Sequence, residues 1–251
     1  MSSKKRCTAI VLAAGSGKRM GGAVAKQFMP LYGKPLLWYS LRAVEDSRIL
    51  DDCILVTGKD DIPYVKERIV EAYGFLKVAA YAAGGRERFE SVYSALQVVR
   101  EENLPVYGED GYLFIHDGAR PFLTESLLEA SYQAVCQYDA CAAAVPVKDT
   151  IKIADEDGFA VQTPDRSLLW AVQTPQTFKA SLVIQAYERL FGQMDPFRHA
   201  GNITDDAMVV EEMLHHPVKL VASSYRNIKV TTPEDIAVAE RFLSEAGKTA
   251  I

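Results

Sequence analysis

Short β-rich runs and amphipathic helical stretches alternate along the first part of the chain, and few architectures accommodate that order. Cys7–Leu12, Asp52–Val56, Lys77–Ala82, Tyr112–His116 and Cys141–Val145 read as strands, the last ended by Pro146. Between them, Leu36–Ser47 carries helical apolar spacing at Leu37, Leu41 and Val44. Asp61–Ala72, Phe89–Glu102 and Thr124–Tyr138 also read as helices, with Thr124 as a cap for its own. This alternation predicts an α/β fold, a mostly parallel sheet flanked by helices. Ligands of such sheets sit outside the carboxyl ends of the strands. The polar loops at 13–26, 83–91 and 117–120 each follow a strand and are expected to converge on one face.

The pattern changes after Lys148. Asp149–Ala154 alternates, Asp155-Glu156-Asp157-Gly158 is a turn signal, and Phe159–Thr163 alternates again. That is a hairpin with few large apolar residues to bury against its own domain. Two readings stand: a protruding arm, at about 149–172, that packs on a second subunit, or an edge hairpin folded on the sheet. Ala180–Phe191 and Thr204–Leu214 then read as helices, Val218–Ala222 and Ile228–Val230 as strands, and Pro233–Ala246 as a closing helix. The expectation is a single Rossmann-like domain, residues 1–251, bearing a β-hairpin arm.

Composition narrows the function. The chain is 49% hydrophobic and 24% charged, ordinary for a globular domain, with a net charge of -5 that argues against broad binding to nucleic acid or membrane surfaces. No run of apolar residues is long enough to span a bilayer, and the N-terminal apolar run is too short for a signal peptide. Cys7, Cys53, Cys136 and Cys141 form no CxxC pair, and His116, His199, His215 and His216 show no metal-site spacing. Reduced cysteines in a cytoplasmic protein are expected.

The loop after the first strand carries the chemistry. Gly15 and Gly17 let backbone N–H groups approach an anion, and Lys18, Arg19 and Lys26 add positive charge. This suits a triphosphate, although a plain glycine turn with surface cations would look the same. A P-loop is excluded because position 12 is Leu and position 19 is Arg; a dinucleotide fingerprint is excluded because position 20 is Met.

The segment Ala13-Ala14-Gly15-Ser16-Gly17-Lys18-Arg19-Met20 with Lys26-Gln27-Phe28 resembles the signature of the 2-C-methyl-D-erythritol 4-phosphate cytidylyltransferases of the non-mevalonate isoprenoid pathway. Further segments match that family in order: Gly84-Gly85-Arg86-Glu87-Arg88-Phe89-Glu90-Ser91-Val92, His116-Asp117-Gly118-Ala119-Arg120-Pro121, and Pro146-Val147-Lys148-Asp149-Thr150-Ile151-Lys152. Asp165-Arg166, Gln173-Thr174-Pro175-Gln176, Thr204-Asp205-Asp206-Ala207 and Asn227-Ile228-Lys229-Val230-Thr231 follow, so the likeness covers nearly the whole chain.

The resemblance implies CMP transfer from CTP to a sugar-alcohol phosphate, with attack on the α-phosphorus and release of pyrophosphate. It implies Arg19, Lys26 and Lys229 as the cations that stabilise the transition state, with Lys18 secondary to Arg19. CTP would be bound by Ala13, Ala14, Gly15, Ser16, Gly17, Lys18, Gly85, Arg88, Ser91, Asp117 and Gly118. Gly85, Arg88 and Ser91 fall in the segment that reads cytosine, whose amino donor and N3 acceptor backbone carbonyls and a hydroxyl can match. The acceptor would meet Asp117, Arg120, Thr150, Arg166, Thr174 and Thr204. Thr150 and Arg166 would reach from one subunit into the partner's site, where a guanidinium fork suits a phosphate. Arg120 has a structural reading of equal standing. Asp205 and Asp206 read either as metal ligands or as acids at a helix N-terminus. The cofactor implied is Mg2+, held mainly by the CTP phosphates rather than by the protein, and the implied assembly is a homodimer through the arm.

Three positions depart from the family pattern: Arg86, where an acidic or small residue is expected; Gly118, where Ala is common; and Asp206, where Glu is usual. A ribitol 5-phosphate or other polyol-phosphate cytidylyltransferase is the nearest alternative, and a non-catalytic nucleotide-binding regulator is an alternative of another class.

Overall fold

The computed structural model describes residues 4–15, 25–193 and 203–249. Its strands are β1 (Cys7–Ala13), β2 (Pro30–Leu31), β3 (Lys34–Pro35), β4 (Asp52–Thr57), β5 (Val78–Ala83), β6 (Tyr112–Asp117), β7 (Ala140–Pro146), β8 (Ile153–Ala154), β9 (Ala160–Gln162), β10 (Trp170–Lys179) and β11 (Lys219–Ala222). Its helices are α1 (Leu36–Asp46), α2 (Ile62–Val65, continued by a π-helical stretch Lys66–Glu71), α3 (Arg88–Glu101), α4 (Pro105–Gly108), α5 (Glu125–Tyr138), α6 (Ala180–Phe191), α7 (Asp206–Leu214) and α8 (Pro233–Thr249).

Seven strands form one sheet in the order β11-β7-β10-β6-β1-β4-β5. Every pairing is parallel except those of β10, which runs antiparallel to both β6 and β7. Successive residues of one strand face opposite layers. Ile10, Leu113 and Ile115 pack with Val92, Leu96, Val183 and Tyr187 of α3 and α6, whereas Ala9, Val11 and Phe114 pack with Leu37, Leu41, Leu127 and Val135 of α1 and α5. The strands are therefore buried on both faces, which is why they read as continuous apolar runs. Among the described residues no helix is long and apolar enough to cross a membrane.

Two segments differ from their sequence reading. Trp170–Lys179 is a ten-residue strand that the sequence hides, because its middle, Gln173-Thr174-Pro175-Gln176, has no period-two apolar pattern. From Val172 to Gln176 the chain takes four steps while its partner goes only from Ala144 to Ala142, so two residues bulge out of the ladder. Conversely, Ile228–Val230 joins no sheet. The Val230 N–H donates to the Ala119 carbonyl (2.9 Å). Its side chain packs in a small separate core with Leu31, Leu36, Ala119 and Ala239.

The hairpin at 149–163 is present as the two-stranded sheet β8–β9, separate from the main sheet and exposed throughout. It forms the tip of a longer excursion whose two legs are β7 and β10.

The switch point of the sheet lies at β1. The chain proceeds from β1 outward to β4 and β5, then returns to place β6 on the other side of β1. The crevice at the carboxyl ends of β1, β5 and β6 is where such sheets take ligands. Gly84, just past β5, draws the flanking loops together: its N–H donates to the Thr57 carbonyl (2.8 Å), and a Cβ there would lie 2.0 Å from Ala14 Cβ. Gly84→Ala is expected to destabilise the protein by about 1–3 kcal/mol through this overlap, measured by urea unfolding. Adding Ala14→Gly should recover part of the loss.

Candidate active site

Two clefts open at this edge. The larger, about 560 Å³, is lined by Leu12, Ala14 and Gly15 from β1 and its loop, by Lys26, by Gly85, Arg86, Glu87, Arg88 and Ser91 around the start of α3, and by Asp117, Ala119 and Lys229. The smaller, about 250 Å³, is lined by Val172, Gln173, Thr174 and Gln176 of β10, by Thr204, Asp205 and Arg120, and again by Arg88, Asp117 and Lys229. The last three residues border both clefts and form the wall between them.

Each wall residue is held. Asp117 ends β6, and its backbone N–H donates to Thr174 Oγ1 (3.1 Å). Its carboxylate accepts from Arg88 Nε on one oxygen (3.2 Å) and from Lys229 Nζ on the other (2.7 Å). Burial alone would push this carboxyl up; the charges of Arg88, Lys229 and Arg120 outweigh burial and hold it far below the usual carboxylate range. Asp117 is thus ionised at neutral pH, with lone pairs left for a ligand hydroxyl. Arg88, the first residue of α3, also donates both terminal nitrogens to Asp206 at 2.8 Å each. Tyr187 of α6 donates its hydroxyl to the same Asp206 (2.6 Å).

Behind the wall lies a layer of neutral polar groups. The buried His116 lies between the Arg120 carbonyl (Nε2, 3.1 Å) and Thr174 Oγ1 (Nδ1, 3.0 Å). Because the Arg120 carbonyl can only accept, Nε2 carries the ring proton and donates to it, which leaves Nδ1 to accept from the Thr174 hydroxyl. Burial lowers the His116 pKa to about 4, so the ring stays neutral. Asn227 donates to the Gln173 side chain (3.0 Å) and to the Thr174 carbonyl (2.9 Å), and Arg120 donates to the Asn227 carbonyl (2.7 Å). Gln176 accepts from the backbone N–H groups of Asp206 and Ala207 (2.9 Å each) and donates to Asp205 (2.9 Å). Asp205 caps α7 by accepting from the Met208 N–H (2.9 Å).

The loop before α3 is organised from within. Ser91 Oγ accepts from Gly85 N–H (3.1 Å) and donates to the Glu87 carbonyl (3.2 Å). Glu87 and Glu90 form a capping box, and Glu90 also accepts from the Arg86 N–H. A Cβ on Gly85 would lie 2.3 Å from Glu90 Cβ, so this turn requires glycine.

The residues expected from sequence are distributed as follows. Ala14, Gly15, Lys26, Gly85, Arg88, Ser91, Asp117 and Lys229 line the larger cleft, with Lys26 Cε 3.8 Å from where a Gly15 Cβ would be. Arg120, Thr174 and Thr204 line the smaller. Ala13 is buried in β1 rather than on the cleft. Gly118 packs beneath, where a Cβ would lie 3.0 Å from the Leu12 carbonyl and from Leu37. Arg88 has its guanidinium committed to Asp206 and Asp117. Asp206 is fully buried on Arg88 and Tyr187, and Asp205 is a helix cap. Thr150 and Arg166 are exposed on the arm and line neither cleft of their own chain. Ser16, Gly17, Lys18 and Arg19 lie outside the described residues. Sequence reasoning missed the working roles of Gln173, Gln176, Asn227 and Tyr187. The first three stand in matched segments; Tyr187 carries no signal beyond its place on the apolar face of α6.

The fold and the paired clefts define an α/β protein with two adjoining polar clefts at the carboxyl edge of a mostly parallel sheet, walled by Arg88, Asp117 and Lys229. Comparison with known proteins makes this specific. The sequence model of the family IspD, 2-C-methyl-D-erythritol 4-phosphate cytidylyltransferase, matches residues 7–245. The enzyme of that name from Lachnospira eligens is 49% identical over 236 residues, covering 94% of this chain and 98% of its own. That from Lachnoclostridium phytofermentans is 43% identical over 241 residues, covering 96% and 97%. Among solved structures, 4-diphosphocytidyl-2C-methyl-D-erythritol synthase from Anaerococcus prevotii superposes with a TM-score of 0.79 at 32% identity, covering 96% of this chain and 97% of that one. The chain belongs to the 2-C-methyl-D-erythritol 4-phosphate cytidylyltransferase family.

The buried His116 sets a pH dependence. The unfolded chain takes up this proton near pH 6.5, whereas the folded protein resists it down to about 4. The contribution is complete above about pH 6.5 and is lost as pH falls toward 4, amounting to about 3 kcal/mol over that window. Urea unfolding at pH 7.5 and pH 4.5 should show this loss, and His116→Gln should flatten it. An unchanged slope in the variant would assign the loss to other groups.

Proposed function

We infer that the chain transfers the cytidylyl group of CTP to 2-C-methyl-D-erythritol 4-phosphate, giving 4-diphosphocytidyl-2-C-methyl-D-erythritol and pyrophosphate. The observation that carries this reading is the shared wall: a reaction joining a nucleotide to a second phosphate needs two adjoining clefts with fixed charges at their junction. In this reading CTP occupies the larger cleft, its base against the Gly85–Ser91 turn and its phosphates toward Gly15 and Lys26. The acceptor occupies the smaller cleft, against Thr174, Arg120 and Thr204. An acceptor phosphate oxygen attacks the α-phosphorus, and the bond to the bridging oxygen breaks as pyrophosphate departs. Lys26 and Lys229, with Arg19, stabilise the charge that builds on the pentacoordinate phosphorus. Asp117 accepts a substrate hydroxyl and anchors Lys229.

The donor set suits Mg2+ carried on the nucleotide. Among the described residues no group of three metal-ligating side chains exists. The Asp117 carboxylate is already bonded on both oxygens to cations. Magnesium bound to CTP would neutralise phosphate charge, with its shell filled mainly by phosphate and water.

The arm supports a homodimer. Phe159 is 71% exposed and Leu168 77%, and Ile153 and Val161 are exposed too, large apolar side chains of the arm that a monomer leaves in water. Docked on a second copy, it would deliver Thr150 and Arg166 to the partner's acceptor cleft. The buried free thiols of Cys7, Cys53 and Cys141 agree with a cytoplasmic setting.

Pyrophosphate release from CTP with Mg2+ and 2-C-methyl-D-erythritol 4-phosphate tests the reading directly. Activity with ribitol 5-phosphate instead would reassign the acceptor, and no turnover with either would leave a nucleotide-binding regulator. Lys26→Ala should lower kcat by about 100-fold or more with the folded state intact by circular dichroism. Phe159→Asp with Leu168→Asp should give a monomer by analytical ultracentrifugation and abolish turnover; an active monomer refutes the shared site.

A further inference from the structure

Asp206 and Tyr187 lie behind the wall, bonded to Arg88, and the reaction as described does not use them. Asp206 is 0% exposed and, like Tyr187, lines neither cleft. Both of its oxygens are occupied: Oδ1 accepts from Arg88 and Tyr187, Oδ2 from Arg88. The three residues come from three helices, the first residue of α3, the first of α7 and the middle of α6. Helix-terminal acids are common and need no partner, but a two-pronged buried pair is a different matter. Desolvation of two charges offsets most of their attraction, so such a pair is weak evidence for stability. Its definite effect is geometric. With both terminal nitrogens clamped on Asp206, Arg88 has only one orientation in which Nε meets Asp117 (3.2 Å). Asp117 in turn holds Lys229 (2.7 Å).

We propose that Asp206, held by Tyr187, is a positioning residue for transfer. Through the Arg88 guanidinium it fixes the Asp117 carboxylate, and through that carboxylate it fixes the Lys229 ammonium at the junction of the two clefts. This rests on the cytidylyltransferase reading, because the junction is where the reacting phosphorus sits. Misplacing a transition-state cation by a fraction of an ångström costs turnover while leaving nucleotide binding nearly intact. Asp206→Asn keeps the shape but breaks the two-pronged acceptor, and Tyr187→Phe removes one hydroxyl and leaves the ring.

The experiment is steady-state kinetics on wild type, Asp206→Asn, Tyr187→Phe and the double variant, with thermal unfolding of each. Wild type is assayed first with CTP, Mg2+ and 2-C-methyl-D-erythritol 4-phosphate; if it is inactive, the activity reading fails rather than this one. Given active wild type, Asp206→Asn is expected to lower kcat at least tenfold with KM for CTP changed less than twofold, and Tyr187→Phe to lower kcat several-fold. The double variant should be no slower than Asp206→Asn alone, because Tyr187 acts only through Asp206. Unchanged kcat in folded variants, a KM rise in place of the kcat loss, or losses that multiply in the double variant would each overturn the proposal. If Asp206→Asn does not fold, Tyr187→Phe decides: a kcat loss without a KM change supports the proposal, and an unchanged kcat overturns it.

Discussion

The site depends on one carboxylate taken out of water. Asp117 ends a strand buried on both faces, and an isolated charge there costs several kcal/mol. The protein answers with cations from three directions: Arg88 from the start of α3, Lys229 from the segment before α8, and Arg120 from the turn that follows β6. Those same cations are what an anionic substrate needs. Compensating Asp117 therefore builds the charge pattern of the wall that separates the two clefts.

Beneath this pattern the neutral layer does the fixing. Thr174, His116, Asn227, Gln173 and Gln176 pass hydrogen bonds among themselves and to backbone groups of β6, β10 and α7. Such a network has little tolerance for rearrangement, because each group left without a partner carries its full desolvation penalty. The antiparallel strand β10 makes the network possible. By entering antiparallel between β6 and β7 it brings the bulged Gln173–Thr174 segment, in its amino-terminal half, against the carboxyl end of β6, where a parallel strand would have placed its carboxyl end.

Much of this was legible before any coordinates. The parallel strands read clearly because burial on both faces leaves continuous apolar runs, and the meeting of Ala14, Gly15 and Lys26 with the loops at 83–91 and 117–120 followed from strand direction. β10 did not read, because its middle is polar for the sake of the site and a proline interrupts it. Ile228–Val230 read as a strand because its apolar residues are buried, yet they fill a small core beside Ala119 rather than a sheet. Arg88 and Ser91 line the larger cleft, but a sequence cannot show that their polar atoms are already engaged with Asp206 and Glu87. Asp206 left two meanings open, metal ligand or helix acid. Only the approach of α6 and α3 to α7 gave it a third.

The bulge in β10 also bears on how this chain can change over generations. Pairing of Trp170 with Pro146 closes the stem of the arm, and pairing of Gln176 with Ala142 independently sets the register of the segment that holds Thr174. The tip between Val147 and Leu169 lies beyond both. Insertions or deletions there leave the strands that hold Thr174 in register, so the length of the tip is uncoupled from the geometry of the cleft in its own chain.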